Sequence, residues 1–462
     1  MSVHVLLVNH QASVTRSPNL GLGYLAAALE QAGHEVTVAD VAQRRWTPAR
    51  VRRMAVDRRW DLVGIQSYSC GIDDARRLAR FIKERRPETR IVIGGRHVDA
   101  LPEETLAGER AFDYALTGEC EGALPELVAR LDDGGAALDE VPNLYYRQGA
   151  LVQRGPHTAR ADPNHPVMPA WHHIPPASYP VAPLGTFVRA LPIAPIITSR
   201  GCSYRCQFCA APSAGRSLCL RSPEAVLEEI RYLVRHHSVR EIQILDDNFT
   251  SRKAHARAVC EGILRSGLKL ALSLPNGVRL DRLDAELLGL LERAGCYSVT
   301  VGIESGVPRV LSEMKRDVTL DTVRQQLDLI RQVTSIRVTG NFLIGLPGET
   351  LDDIRQTIDF ACSAPLHRAQ FAAFLPLPGS PLFDRLRSEG KLLDTDFSAL
   401  RYEAGRFAYV PDGMSAGQLK RALWRAFLRF YGRPAVLAGL APEVRGVGHL
   451  GHLMSRLRAR YW

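Results

Sequence analysis

The sequence predicts an α/β protein with two successive parallel-sheet domains. The first is a doubly wound sheet of Rossmann or flavodoxin type, and the second is a partial (βα)6 barrel of TIM type followed by a helical segment. Three observations carry this prediction. Short β-branched runs alternate with amphipathic helical stretches over residues 1–135 and again over 191–380. A proline-rich stretch without periodicity, within residues 136–190, separates the two series. Glycine or polar clusters follow nearly every expected strand, where such folds carry their ligand-binding loops. A chain of 462 residues is also too long for one ordinary core.

In the first series the strands read as His4–Asn9, Glu35–Asp40, Leu62–Tyr68, Arg90–Gly95 and Tyr114–Gly118, with helical patterns such as Gly21–Ala32 and Asp73–Arg85 between them. Ligands of doubly wound sheets lie at the carboxyl ends of the strands. The loops there run Asn9–Gly23, Ser67–Gly71, Gly94–Glu103 and Gly118–Gly122. No G-x-G-x-x-G follows the first strand, so a dinucleotide is not indicated.

Residues 136–190 read as a connector. Leu144 to Val152 suggests a hairpin turning at Gln148-Gly149, and the stretch from Asp162 to Pro183 is dense in proline. His165, His172 and His173 fall in this stretch and read as surface groups.

The second series has strands at Ala194–Thr198, Glu241–Leu245, Leu268–Pro275, Ser298–Ile303, Arg337–Ile344 and Ala369–Leu375. Helices are expected at Ser222–Arg235, Asp281–Ala294, Leu320–Gln332 and Leu351–Cys362, with Ser222 and Pro223 forming a good N-terminus. Unusual residues gather at the strand ends: Cys202, Cys206 and Cys209, then Asp246-Asp247-Asn248, Asn276 with Arg279, Glu304-Ser305-Gly306, Gly345 to Glu349, and Pro378-Gly379-Ser380. Any one could cap a helix, but together they describe a ligand-binding rim. Residues 381–462 hold helical segments around Leu382–Gly390 and Gly417–Tyr431.

The cysteines stand at C-x3-C-x2-C spacing in one short loop. Three thiolates from such a loop suit a cubane iron–sulfur cluster, leaving one iron open. A structural zinc asks for four ligands, usually in two close pairs, and Cys219, His172 and His173 stand at no familiar offset for a fourth. A disulfide framework does not suit nine cysteines and a first segment that runs directly into a strand. A cytoplasmic, reducing setting is expected.

The composition, 46% hydrophobic and 23% charged, is that of a globular protein with no expected membrane span. The formal net charge of +10 comes mainly from scattered arginines such as Arg44-Arg45, Arg52-Arg53 and Arg85-Arg86, which read as solvated helix faces. The run Met454 to Trp462 is the stretch best suited to touch a membrane surface or nucleic acid, but nucleic acid is not an expected partner.

The cysteine loop, Asp246-Asp247-Asn248-Phe249, Gly302-Ile303-Glu304-Ser305-Gly306 and Gly345-Leu346-Pro347-Gly348-Glu349 together resemble the radical S-adenosylmethionine superfamily. The N-terminal half resembles the cobalamin-binding domain of one branch of it, through Leu20-Gly21-Leu22-Gly23-Tyr24, Gly94-Gly95-Arg96-His97 and Gly118-Glu119. The resemblance spans residues 3 to about 435.

It implies a [4Fe–4S] cluster on Cys202, Cys206 and Cys209, whose open iron holds S-adenosylmethionine, and a bound cobalamin. It also implies that Asp246 and Asp247 lie near the methionyl part, Glu304 and Arg279 near the ribose and carboxylate with Ser305 on the same rim, and Leu343 to Gly345 near the adenine. Gly21, Gly23, Ser67, Gly94, Gly95, His97, Gly118 and Glu119 would line the cobalamin. Two departures stand out. The D-x-H-x-x-G motif that supplies an axial histidine is absent, and Leu245-Asp246-Asp247 replaces a Gly-Gly-Glu run.

The resemblance implies methylation of an unactivated carbon or phosphorus of a small-molecule substrate. One S-adenosylmethionine would methylate the cobalamin and a second would generate a 5′-deoxyadenosyl radical, with an electron donor such as flavodoxin or ferredoxin. Cyclisation, ring contraction or lipid rearrangement with the same cofactors is the alternative, and a non-catalytic cobalamin or redox sensor is a third reading.

Overall fold

The first five expected strands form, in the computed structural model, a single sheet that runs on beyond them. The structure describes residues 2–11, 17–157, 162–165, 168–180, 188–211, 217–392, 397, 400 and 407–443. The C-terminal run from Met454 lies outside them. Two compact units result: Met1–Leu184 with Pro192–Pro195 and Ala211–Val239, and Gly185–Leu191 with Ile196–Ala210 and Arg240–Trp462.

The first unit contains β1 (His4–Asn9), α1 (Leu20–Gln31), β2 (Glu35–Asp40), α2 (Pro48–Asp57), β3 (Leu62–Gln66), α3 (Ile72–Arg85), β4 (Arg90–Gly94), α4 (Arg96–Ala100), α5 (Pro102–Ala107), β5 (Tyr114–Leu116), α6 (Ala123–Asp132), β6 (Leu144–Gln148) and β7 (Leu151–Arg154). The strand order is β2-β1-β3-β4-β5-β6-β7, parallel through β5 and antiparallel at β6 and β7. Val5 to Val8 are buried on both faces, as helix-covered parallel strands require. The order reverses between β1 and β3, which places a topological switch point beside Asn9 and Gln66. Strands β4 and β5 end a residue or two before their expected limits. Gly95 (φ +99°) and Gly118 (φ +72°) adopt left-handed backbone there and break the ladder.

The stretch read as a connector is more structured than its prolines suggest. Leu116 pairs with Leu144, so the expected hairpin becomes the edge of the sheet. Farther on, Trp171, Ile174 and Tyr179 are buried. The segment can settle on α1 because residue 23 is glycine: a Cβ there would lie 2.6 Å from Ile174 Cδ1 and 2.8 Å from Pro169 Cβ. Gly23→Val is therefore expected to cost ~1–3 kcal/mol by overpacking, read as a lowered thermal midpoint. An unchanged midpoint would show that the segment is not held against α1.

Helix α7 (Pro223–His237), expected as the barrel's first helix, groups with this unit. Its buried Glu229 accepts from Arg221 Nη1 at 2.6 Å and from the Trp171 indole N–H at 3.2 Å.

The second series begins with β8 (Ile193–Ile196) and the two-residue strands β9 (Ser199–Arg200) and β10 (Cys219–Leu220). It continues with β11 (Glu241–Ile244), α8 (Lys253–Arg265), β12 (Ala271–Val278), α9 (Ala285–Arg293), β13 (Cys296–Glu304), α10 (Pro308–Glu313), α11 (Leu320–Val333), β14 (Arg337–Ile344), α12 (Leu351–Ser363) and β15 (Arg368–Ala373). Helices α13 (Pro381–Ser388), α14 (Ala416–Tyr431) and α15 (Pro434–Leu440) follow.

The barrel sheet runs β15-β14-β13-β12-β11-β8 in sequence order, with β8 and β15 as its edges, so the barrel is partial. Ile196 joins by accepting from Leu245 N at 2.8 Å. Helix α14 packs on β15 through Phe430 against Phe371 and through the Tyr431 hydroxyl, which donates to Ala369 O at 2.8 Å.

Candidate functional site

The cysteine loop leaves the end of β9 through Gly201 (φ +84°). Neighbouring elements hold its shape together with its own hydrogen bonds. Gln207 N donates to Met314 O at 3.1 Å, just past α10, and Leu382 N in α13 donates to Gln207 O at 3.0 Å. Phe208 packs against a core of Val307, Val310, Met314, Leu346, Phe374 and Leu382. Earlier in the loop, the Tyr204 ring lies 4.0 Å from the Arg279 guanidinium, and its hydroxyl accepts from Arg282 Nε at 3.0 Å. Cys202 and Cys209 are half-buried, Cys206 is buried, and none of the three is in a disulfide. Three sulfur donors on a loop fastened in this way fit an iron–sulfur cluster without further folding. Burial pushes the Cys202 thiol up, so a bound metal would have to draw it into the thiolate form.

Arg316 is the residue the sequence reading missed. It sits just beyond α10, where Met314-Lys315-Arg316 looks like an ordinary solvated helix end. In the fold it is largely buried: Nη1 donates to Cys206 Sγ at 3.6 Å, Nη2 donates to Gly302 O, and Glu304 Oε1 lies 3.7 Å away. Burial opposes its charge, but Glu304 and Cys206 outweigh that and hold it protonated. Glu304 itself adopts φ +70° at a bulge between β13 and β14, and burial raises its carboxyl. Gly302 makes the pair possible, since a Cβ there would stand 2.4 Å from Glu304 Oε1 and 3.0 Å from Arg316 Nη2.

The other rim residues divide into those tied to protein and those with a group to spare. Asp246 is committed: its carboxylate accepts from Thr198 N at 2.7 Å and from the Thr198 and Ser199 hydroxyls at 2.6 Å each. It fixes the approach to the cysteine loop, and burial raises its carboxyl. Asp247 is exposed and lies close enough to Cys202 to act on its thiol. The Ser305 hydroxyl is turned to Thr357 Oγ1 at 3.1 Å and to Val307 N at 3.2 Å. Arg279 binds Asp281 through Nε (2.7 Å) and Nη2 (3.1 Å), while its Nη1 is buried without a partner. That spare donor beside the cysteine loop fits a ligand carboxylate.

On β14 and the turn after it, Leu343 is half-buried against the core that Phe208 touches. Gly345 has φ +87°, and Gly345 N and Leu346 N donate to Glu349 Oε2 at 2.6 and 3.1 Å. Burial pushes the Glu349 carboxyl from its ordinary 4.5 up to about 7. The fold therefore keeps a proton that the unfolded chain has shed, and this stabilising share is complete below about pH 4.5 and is lost as pH rises through about 7. Glu349→Gln is expected to flatten the decline in thermal midpoint between those limits. A slope equal to that of the parent protein would count against the raised carboxyl.

In the first unit, Asn9 Nδ2 donates to Asp40 Oδ1 at 2.8 Å, and Asn19 Nδ2 donates to Gln66 Oε1 across the switch point. His10 Nε2 lies 3.1 Å from Gly71 O, and its Nδ1 is buried without a partner. Ser67 is fully buried, and its carbonyl accepts from His97 N at 3.3 Å. Gly95 is required beside it, since a Cβ there would meet Ser67 O at 2.8 Å. At Gly94 the nearest contact of a Cβ would be Leu116 O at 3.4 Å.

His97 is buried with Nδ1 3.0 Å from Ser69 Oγ, and burial lowers its pKa to about 4, so it is neutral. Gly118 N donates to Asp99 Oδ1 at 2.7 Å, and Glu119 beside it is half-buried. Gly21 is exposed on α1 with room for a Cβ, whereas Gly23 packs against Pro169 and Ile174. The loops after β1, β3, β4 and β5 thus share the carboxyl edge of one parallel sheet. The orphaned His10 Nδ1 and the glycine turns fit a large ligand laid against that edge.

Comparison with known proteins finds two family models that match the chain. Residues 10–128 match the B12 binding domain and residues 196–361 the Radical SAM superfamily. An uncharacterized methyltransferase of Pyrococcus horikoshii is 28% identical, covering 92% of this chain and 90% of its own. The cytidylyl-2-hydroxyethylphosphonate methyltransferase of Streptomyces wedmorensis is 29% identical over 84% of this chain and 82% of its own. The radical S-adenosylmethionine methyltransferase TsrM from Kitasatospora setae, solved with cobalamin and a [4Fe–4S] cluster, superposes with a TM-score of 0.73 at 21% identity, covering 94% of this chain and 92% of that one. The chain belongs to the radical S-adenosylmethionine superfamily, in the branch that carries a B12-binding domain.

Proposed function

We propose that this protein is a cobalamin-dependent methyltransferase acting on an unactivated carbon or phosphorus centre of a small molecule. The observation that carries the reading is the three-thiol loop, pinned to the barrel rim and flanked by Arg279 and Arg316. When bound, the cluster, S-adenosylmethionine and cobalamin supply one-electron cleavage of the sulfonium and a transferable methyl group. The protein's share is placement. Cys202, Cys206 and Cys209 hold the cluster, and the spare Nη1 of Arg279 meets the carboxylate of the methionyl part. Asp247 is the free carboxylate for the amino group, while Asp246 keeps the loop entrance in register. Glu304 accepts from the ribose, and Leu343 with the turn at Gly345 provides an apolar wall for the adenine. Ser67, Gly94, Gly95, His97 and Gly118 would line the cobalamin.

Among the described residues no helix is long and apolar enough to cross a membrane. A one-electron donor of flavodoxin or ferredoxin type in a reducing compartment completes the system. The test is anaerobic reconstitution with S-adenosylmethionine, a reductant and candidate substrates, with products read by mass spectrometry. Methyl transfer predicts 5′-deoxyadenosine and S-adenosylhomocysteine together with methylated product. 5′-Deoxyadenosine without S-adenosylhomocysteine would overturn methyl transfer and favour a cyclising or rearranging enzyme.

A further inference from the structure

Glu30, His172 and His173 bring three metal-ligating atoms together in the first unit, apart from the residues assigned to the cluster, S-adenosylmethionine and cobalamin. Consecutive side chains in extended backbone point to opposite sides. Here residues 171–173 form a turn, the two imidazole centroids lie 4.3 Å apart, and both Nε2 atoms stand 2.9 Å from one oxygen, Glu30 Oε1. All three ligand atoms lie within 4.8 Å of one another. A tetrahedral zinc ion with bonds of about 2.0–2.1 Å sets its ligand atoms about 3.3 Å apart. The triangle therefore needs only small side-chain rotations to receive one.

The turn is held from several sides. Trp171 and Ile174 on either side of the pair are buried, and the indole N–H reaches Glu229 Oε1 at 3.2 Å. Ala170 N donates to Gly23 O at 2.9 Å, and Gln43 Nε2 donates to His173 O at 2.9 Å. Arg45 Nη2 also lies 3.5 Å from that carbonyl. Glu30 is fixed in the last turn of α1. The donors are thus positioned before any ion arrives, and little ordering entropy is left to lose. Two imidazoles and one carboxylate suit zinc and neighbouring transition ions, whereas magnesium and calcium prefer oxygen ligands throughout.

We propose that Glu30, His172 and His173 form a zinc-class divalent metal site, with its fourth position left to solvent, that clamps the turn at 171–173 to the end of α1. This site is independent of the proposed methyl transfer. The test uses the full-length protein with any affinity tag removed, both as the parent and with Cys202, Cys206 and Cys209 changed to alanine, so that zinc on those thiolates is counted separately. Zinc per chain is measured by mass spectrometry after equilibrium dialysis against buffered free zinc.

The parent and the cysteine variant should both hold a zinc ion, and Glu30→Gln, His172→Gln and His173→Gln should each weaken it by more than ~10-fold, the loss already typical of removing an outer-shell partner. His172 is the most exposed of the three, so His172→Gln keeps the fold intact. Zinc should raise the thermal midpoint of the parent and leave that of His172→Gln unmoved. No zinc retained at micromolar free metal, or equal occupancy in the parent and His172→Gln, would overturn the site.

Discussion

Cys206→Ala is expected to strip the protein of its cluster and reduce 5′-deoxyadenosine formation to background. Cys206 is the most enclosed of the three thiols: it is buried, it receives an Arg316 N–H, and its carbonyl receives Cys209 N at 3.3 Å. Two remaining thiolates cannot secure a cubane that already relies on three. Iron and sulfide content and the brown absorbance after anaerobic reconstitution read the loss directly. Cys260→Ala is the matched control, because that thiol is buried in α8 and pushed far up by burial, so it is inert. Full iron content in Cys206→Ala would overturn the ligand assignment, and loss in both variants would point to general fragility of the fold.

Arg316→Met should have the next largest effect, on two readouts. Removing one member of a buried ion pair leaves the other uncompensated, at a typical cost of about 3–5 kcal/mol, and Glu304 is the member left here. The thermal midpoint should therefore fall, and Arg316→Lys should recover part of it. The guanidinium also brings positive charge and an N–H to the Cys206 sulfur, and both favour the reduced cluster. Its loss should move the cluster's midpoint potential to more negative values in an EPR-monitored titration. A midpoint potential unchanged in Arg316→Met, with iron content retained, would reduce Arg316 to a structural role.

The contrast between Arg316 and the cysteines shows what the sequence could and could not reveal. The thiols are close in sequence and chemically unusual, so their spacing alone suggested a cluster. Strands β1, β2 and β14 run between the very residues their β-branched patterns predict, His4–Asn9, Glu35–Asp40 and Arg337–Ile344. Arg316 sits 110 positions from Cys206, and nothing local distinguishes it from the other arginines. Asp246 was visible as a rim residue, but its commitment to Thr198 and Ser199 depends on strand adjacency across 48 positions. The prolines of the connector go with turns and short irregular backbone among its described residues. They concealed the burial of Trp171 and Ile174, because an irregular segment can still pack wherever a glycine such as Gly23 makes room.

The hairpin β6–β7 bears on how the protein can be divided. It covers the edge of β5, whose Leu116 would otherwise present unpaired backbone groups to any other chain. A fragment ending at residue 135 would keep all five parallel strands and still carry an open, apolar template for self-association. The N-terminal unit is thus a separable module only when its hairpin travels with it, and a chimera joined ahead of Leu144 would inherit a tendency to aggregate.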